Sequence, residues 1–533
     1  MKDQFAREAL AQIPKILTLL DRNPHSPTYG CFDRNFWHYK IIDFPSGMSQ
    51  EFVLPLTLAY ETNLPDNPYY QQPAIREWVK AGILYAAKSA HADGSCDDYF
   101  PFERAGGAAA FSLLACLESY RRLGLQDDRM LEFFSLRADW LAHHQESGRL
   151  TNHQALIVLC LELLSRLLKT NRWDRAKAQR LEQVLSWQHE EGWFQEYEGC
   201  DPGYHTLTIS CLAWLYDLTP DPRLEASLKR AVKLAAEFVH PDGSYGGEYT
   251  SRNTYNFFPD GFERVGRWLP EALAINDRFL QGLANGKAPC YADDHIIGHH
   301  TWNYLLAWQD FVPSRPPVPP RSPGQFYLKQ AGLLIDRRDN TELYLALNKG
   351  GVFKLFRDGQ LIASDTQFSL QVRQGGKLKN AVGHLVSDYT IDLSPQENPN
   401  GITIRGRLGW AKQKQMTPLN LMILRVVMLT IGRFFPNLIR KILQKVLIVG
   451  KKDAPFQFTR RLVWQSGQWQ VQDQLQAQDW SDVVSAGIGV DQTSIYVVAS
   501  RTFQVGQLQP WLDLTEKVRS LKSGESLQLE RRL

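Results

Sequence analysis

Through residues 1–311 apolar side chains recur at helical spacing: Phe111, Leu114 and Leu117, then Leu156, Leu159 and Leu163, then Ala231, Leu234 and Phe238. Turn elements of one type separate these runs: Asp93-Gly94-Ser95, Glu191-Gly192-Trp193, Asp242-Gly243-Ser244 and Asp293-Asp294-His295. Their intervals are 98, 51 and 51 residues, and the double-length interval contains a further turn, Leu150-Thr151-Asn152-His153. A recurrence of about 50 residues per pair of helices is what stacked helical hairpins produce. Closed on themselves, such hairpins gather their polar and aromatic turn residues at one mouth, and the mouth becomes a cleft. The pattern therefore predicts an (α/α) toroid or incomplete barrel over residues 1–311.

Residues 312–324 hold six prolines, too many for a helix or a central strand, and predict a stiff extended spacer. Beyond them helical spacing gives way to strand-like segments at 342–347, 352–356, 368–372, 402–405, 461–464 and 494–498, with turns such as Asp358-Gly359 and Gly375-Gly376. This is the pattern of an antiparallel β-sandwich over 325–533. Residues 416–452 fit neither pattern. They are apolar and helical, interrupted by Pro418, Gly432 and Pro436, and predict an amphipathic helical insertion in the sandwich.

Charge changes this picture in one respect. The net charge of +3 conceals a balance of −8 over residues 1–323 and +11 over residues 324–533. The insertion itself carries Arg425, Arg433, Arg440, Lys441, Lys445, Lys451 and Lys452 and no acidic residue. A basic amphipathic helix suits either an anionic membrane surface or packing on the rest of the protein. The basic excess sits beside apolar residues without a nucleic-acid-binding motif, so nucleic acid is not an expected partner. The seven cysteines are odd in number and irregularly spaced, as expected of buried free thiols. The first residues have no apolar core of signal-peptide length, and no segment has the roughly 18 uninterrupted apolar residues of a membrane span. A cytoplasmic location, peripheral at the membrane's inner face, is the expectation.

Candidate chemistry is concentrated in the turns. Residues 190–205 contain Glu196, Tyr197, Asp201, Tyr204 and His205 beside Trp193, and residues 242–255 contain Tyr249 and Arg252. Asn152 and His153 open a helix, where Asn152 taken alone reads as an N-cap. A further cluster runs from Asp97 and Asp98 to Glu103 and Arg104.

An Asn-His pair at a helix start, followed after 52 residues by Pro202-Gly203-Tyr204-His205, resembles the heparinase II/III-like polysaccharide lyases, as do Gly192-Trp193 and Glu196. Gly247-Glu248-Tyr249 with Arg252 resembles the tyrosine-arginine element of the related alginate lyases. The resemblance implies a helical toroid followed by a β-sandwich, and β-elimination at a uronate glycosidic bond without metal or other cofactor. It implies that Asn152 neutralises the uronate carboxylate, that His153, His205 or Tyr204 removes the C5 proton, and that Tyr204 protonates the leaving oxygen. Either Tyr204 or Tyr249 holds the family's tyrosine position. Arg252 or Arg104 would bind a sugar carboxylate and Trp193 would stack on a sugar ring, with Glu196, Tyr197, Asp201 and His299 as further candidate substrate contacts. The expected partner is an acidic polysaccharide or oligosaccharide, with a link to exopolysaccharide biosynthesis as a further expectation. Two other readings stand beside this one. The first is an (α/α)-barrel glycoside hydrolase or sugar epimerase using paired carboxylates among Asp98, Glu103, Glu196 and Asp201. The second is a non-catalytic, membrane-associated accessory protein of exopolysaccharide synthesis.

Overall fold

The computed structural model describes the chain except residues 147, 198, 291–294, 386–387, 394–400, 412–415, 436–437, 440–441, 443–451 and 491–501. After α1 (Asp3–Leu10), α2 (Ile13–Leu19) and α3 (Arg34–Trp37), the helices come in pairs. These are α4 (Val53–Glu61) with α5 (Pro73–Ser89), α6 (Gly106–Arg122) with α7 (Asp128–His143), and α8 (Thr151–Leu168) with α9 (Asp174–Ser186). Then follow α10 (Pro202–Leu218) with α11 (Pro222–Ala235), α12 (Asp260–Gly266) with α13 (Glu271–Ala284), and α14 (His295–Gln309). The first members, α4, α6, α8, α10, α12 and α14, touch one another in a closed cycle, and α1 completes the last pair by packing on α14 and α13. The ring is closed.

Sequence explains which helices are inner. Every residue of α6 from Gly106 to Tyr120 is buried, and α10 is buried from Pro202 to Leu215, as helices apolar on all sides must be. Helix α11 is amphipathic instead: Leu224, Leu228, Ala231, Val232 and Leu234 face inward while Arg223, Lys229, Arg230 and Lys233 face solvent.

One turn recurs between outer and inner helices. His91, His189 and His240 each donate a backbone N–H to the residue four positions on, and accept from the glycine three positions on. Those glycines, Gly94, Gly192 and Gly243, have φ of +81°, +101° and +82°. A Cβ on Gly192 would lie 2.7 Å from the Arg230 carbonyl oxygen on the next outer helix. Gly192→Ala is therefore expected to cost about 2 kcal/mol of stability, from an unfavourable φ and a backbone clash. Urea unfolding measures it, and an unchanged midpoint would contradict this account.

The expected turn at 150–153 is displaced. Gly148, at φ +107°, makes the turn, and residues 151–153 are already helical. The cause is a long-range contact: Leu150 bridges to Glu196, and Thr151 Oγ1 donates to the Gln195 carbonyl 2.6 Å away.

After the toroid, β1 (Gln195–Glu196) and β2 (Gly199–Cys200) having formed a hairpin within it, the chain builds two antiparallel sheets. The smaller one orders β3 (Gly324–Leu328), β4 (Leu333–Arg338), β5 (Thr341–Ala346), β6 (Val352–Arg357) and β7 (Gln360–Asp365) in sequence. The larger comprises β8 (Phe368–Gln374), β9 (Lys377–Val382), β10 (Thr390–Asp392), β11 (Gly401–Ala411), β12 (Asp453–Gln465), β13 (Gln468–Ala477), β14 (Val483–Ile488), β15 (Leu512–Asp513) and β16 (Ser526–Arg532). Its order is β15-β14-β8-β9-β11-β12-β13-β16, with β10 beside β11. The smaller sheet is the middle layer of the molecule. Leu343 and Leu345 of β5 join the core between the sheets, whereas Tyr344 and Ala346 join the core of the toroid. The expected strand at 494–498 lies outside the described residues.

Between Gln309 and Gly324 there is no helix or strand, and two arginines fasten this run to both sides. Arg315 pairs with Glu263 at 2.9 Å and Asp277 at 2.7 Å, and Arg321 reaches Glu342 at 2.5 Å and the Val239 carbonyl at 2.7 Å. The insertion between β11 and β12 contains α15 (Pro418–Val427), which continues into a π-helical turn at Met428–Gly432. Arg440, Lys441, Lys445 and Lys451 of the insertion lie outside the described residues, as do Asp293 and Asp294 of the turn series. Six of the seven cysteines are buried free thiols.

Candidate active site

From α4 to α13 inner and outer helices alternate, and α14 follows the outer helix α13, so the inner helices run in the same direction and their N-termini meet at one mouth. Their unpaired N–H groups and macrodipoles make that mouth favourable for negative charge. The polar turn residues collect there.

The centre of the mouth is Arg252, 5% exposed, on the loop before α12. Its guanidinium lies between two rings, 4.6 Å from the centroid of Tyr197 and 4.5 Å from that of Tyr204. Two fully buried carboxylates flank it. Nη1 is 3.4 Å from Glu196 Oε2, and Nε is 3.6 Å from Asp201 Oδ2, beyond hydrogen-bond reach. Arg252 thus keeps unused donor capacity in a desolvated place.

Glu196 joins this arginine to α8. Its Oε1 accepts the Asn152 backbone N–H and its Oε2 accepts from Asn152 Nδ2, both at 2.8 Å. Asn152 is consequently no N-cap: Leu150 holds that position without a side-chain bond, and the Glu196 carboxylate caps the helix from another hairpin. Asn152 Oδ1 is buried without a partner among the described residues. Burial pushes the Glu196 pKa up to about 7, against the opposing pull of Arg252 and the two Asn152 donors. Asp201 is the N-cap of α10, accepting the Tyr204 N–H at 3.2 Å and the Thr254 hydroxyl. Burial raises its pKa as well, with Arg252 and Thr254 opposing. The Tyr204 phenol is also held above its ordinary range, chiefly by burial, while Arg252 pulls the other way. Its hydroxyl has no protein hydrogen bond among the described residues.

His153 stands beside Asn152 with its Nδ1 2.8 Å from Glu146 Oε2. Gly107 makes room for the ring: a Cβ there would lie 2.5 Å from His153 Cε1. Burial works to lower the His153 pKa, but Glu146, through charge and hydrogen bond, and nearby Glu196 outweigh it, so the net shift is upward.

Other candidates lie apart from this cluster. His205 turns toward the outer helix, its Nε2 2.9 Å from the Ala231 carbonyl, and burial lowers its pKa to about 4. The Tyr249 hydroxyl is bonded to His240 Nε2 at 3.0 Å, with the ring packed on Tyr344 at the junction with the middle sheet. Trp193 is no open platform for a sugar: it stacks on His189 at 4.8 Å and its Nε1 donates to Glu191. His299 is buried in the ring, bonded to Glu51 at 2.6 Å and separated from His153 by Phe111. Arg104 pairs with Asp93 at 2.9 Å, within its own turn. Of the alternative carboxylates, Asp98 accepts from the Ser46 hydroxyl, and Glu103 accepts the backbone N–H groups of Asp98 and Tyr99.

The residues that sequence reasoning missed are those that support the cluster. Glu146 orients His153. Lys349, buried against the toroid, donates to the Glu248 and Thr250 carbonyls at 2.9 and 2.8 Å, and Lys354 pairs with the Glu248 carboxylate at 2.9 Å. Tyr255 also donates to Glu248. The middle sheet thereby holds the loop that carries Arg252. Alternation in the strands marks Lys354 as facing opposite to Phe353 and Leu355, but gives no sign that the face it shares is buried.

No protein-family model matches the chain, and no curated protein matches it. Among solved structures it is similar to the chondroitin AC lyase of Streptomyces coelicolor A3 in complex with chondroitin sulphate, at 11% identity, over 92% of this chain and 68% of that one, with a TM-score of 0.51. Heparinase III gives 11% identity over 83% of this chain and a TM-score of 0.48, and this chain spans only 64% of its length. An unsaturated glucuronyl hydrolase from Streptococcus agalactiae gives 12% identity, 58% and 92% coverage and a TM-score of 0.41. At such identity the likeness to the chondroitin AC lyase establishes architecture alone. The chain has a fold like that lyase's, a closed (α/α) toroid followed by an antiparallel β-sandwich, here with a helical insertion.

Proposed function

We propose that the protein cleaves an acidic, uronate-containing polysaccharide by β-elimination at the mouth of the toroid. The observation that carries this reading is the contact chain Asn152–Glu196–Arg252–Tyr204. It sets an amide, a buried guanidinium with unused donors and a protonated phenol side by side at the positive ends of the inner helices. A uronate carboxylate entering there meets Arg252 and Asn152, which withdraw its charge and acidify the adjacent C5–H. Neutral His153 takes the C5 proton. The C5–H electrons form the C4–C5 double bond, the C4–O4 bond breaks, and Tyr204 delivers its proton to the departing O4. The link to exopolysaccharide biosynthesis belongs to the same proposal, supported by the basic insertion beside this mouth.

Incubation with a panel of uronate polysaccharides tests the reading, since elimination creates an ultraviolet-absorbing unsaturated uronate. New reducing ends without that absorbance would instead favour the hydrolase reading, for which Glu196, with a carboxyl titrating near 7, suits a general acid.

The base assignment makes a separate prediction. His153 acts only when neutral, so the rising limb of the pH–rate profile follows its elevated pKa. Glu146→Gln removes the largest influence that raises this pKa and leaves burial, which lowers it. The rising limb is expected to move to lower pH in this variant. An unmoved limb would assign the base to another group.

A further inference from the structure

Helix α15 has no buried residue, although eight of its ten residues are apolar. Leu419, Met422 and Val426 are each about 60% exposed, and Leu429, Ile431 and Phe434 continue the exposed apolar surface beyond its end. Exposed apolar area of this extent on a single helix is costly in water and calls for a cover. The helix touches the toroid through its cations. Arg425 pairs with Asp43 at 3.0 Å and lies over the Phe44 ring, and Arg433 lies over the Phe102 ring. Asp43 and Phe44 precede α4, and Phe102 precedes α6, so both anchor points are loops at the N-terminal ends of inner helices, where the mouth is. Exposed Tyr39, Ile41 and Tyr99 lie on the same two loops.

We infer that α15 and the turn after it lie in the interface of an anionic lipid bilayer and hold the mouth of the toroid at the membrane surface. The occupant follows from chemistry. Besides Arg425 and Arg433, which face the toroid, residues 416–452 carry five further basic residues and no acidic one, which complements anionic headgroups while the apolar side chains enter the acyl boundary. No helix among the described residues is long and apolar enough to cross a membrane, and α15 at ten residues suits an in-plane seat. A protein partner would offer apolar cover too, but gives no account of the one-sided charge. Docking in this way would bring the mouth to glycan at the bilayer surface, and it does not depend on the reaction proposed above.

Flotation of the full chain with phosphatidylcholine vesicles, with and without phosphatidylglycerol, tests the inference. The probe variant is Leu419→Ser/Met422→Ser/Val426→Ser, whose side chains are exposed, so its thermal unfolding should match the parent. The parent should float with phosphatidylglycerol-containing vesicles and much less with phosphatidylcholine alone, and the variant should lose about tenfold or more in binding. Failure of the parent to float, equal binding by the variant, or a solution dimer that buries these three residues would overturn it. Cleavage of soluble polysaccharide by the variant at the parent's rate is the expected accompaniment, and separates a failure of docking from a failure of the proposed chemistry.

Discussion

Tyr204→Phe is expected to lower turnover of a uronate polysaccharide about 10²- to 10⁴-fold, the usual worth of a positioned general acid, with little change in stability. The ring stays in place beneath Arg252, 4.5 Å from the guanidinium, and the lost hydroxyl has no protein hydrogen bond among the described residues. Tyr249→Phe provides the contrast. Its hydroxyl is engaged by His240 deep at the junction with the sheet, so its removal should cost about 1 kcal/mol of stability and leave turnover within a few-fold of the parent. Steady-state rates with matched unfolding curves decide between the two tyrosines. The opposite ranking would move the acid to Tyr249.

Arg252→Met is expected to be among the most destabilising single substitutions in the toroid, at about 3–5 kcal/mol, because it leaves buried carboxylates without their counter-charge. The loss should depend on pH in a definite direction. The folded-state pKa of Glu196 is about 7, above its unfolded value near 4.5, so the folded protein holds this proton more tightly. A carboxyl raised in this way favours folding at low pH, and that contribution is lost as pH rises from the unfolded value through the folded one. Arg252 lowers the Glu196 and Asp201 pKa values. Removing it raises both further and widens the window. The destabilisation should therefore be larger at pH 8 than at pH 5, measured by urea unfolding of parent and variant. A loss independent of pH would show that Arg252 serves chiefly through packing between Tyr197 and Tyr204.

Much of this architecture is readable in the chain because its determinants are local. The Asp-Gly-Ser and Glu-Gly-Trp turns need a left-handed glycine pressed on the next outer helix, and that requirement recurs with the hairpin. Strand alternation is equally local, and the sandwich follows from it. What sequence obscured was set by distant contacts. The start of α8 depends on Glu196, 44 residues away, so the local sequence alone reads as a turn at 150–153 with an N-cap at Asn152. His205 and Trp193 have the residue types of catalysis and sugar stacking, yet the helical phase of His205 and the Glu191 bond of Trp193 bury them in the scaffold. Glu146 showed no motif at all, since its role exists only once His153 stands beside it. The middle sheet with both faces covered was likewise unreadable, because alternation reveals that faces differ and not what lies on each.

The claim that the mouth performs elimination is tested most directly by digesting a uronate polysaccharide in heavy-oxygen water and weighing the products. Elimination breaks the C4–O4 bond without adding water, so the account predicts unlabelled fragments ending in an unsaturated uronate, and their disappearance in Tyr204→Phe. Saturated fragments carrying one heavy oxygen at each new reducing end, and none at the new non-reducing end, would contradict it and give the site to hydrolysis.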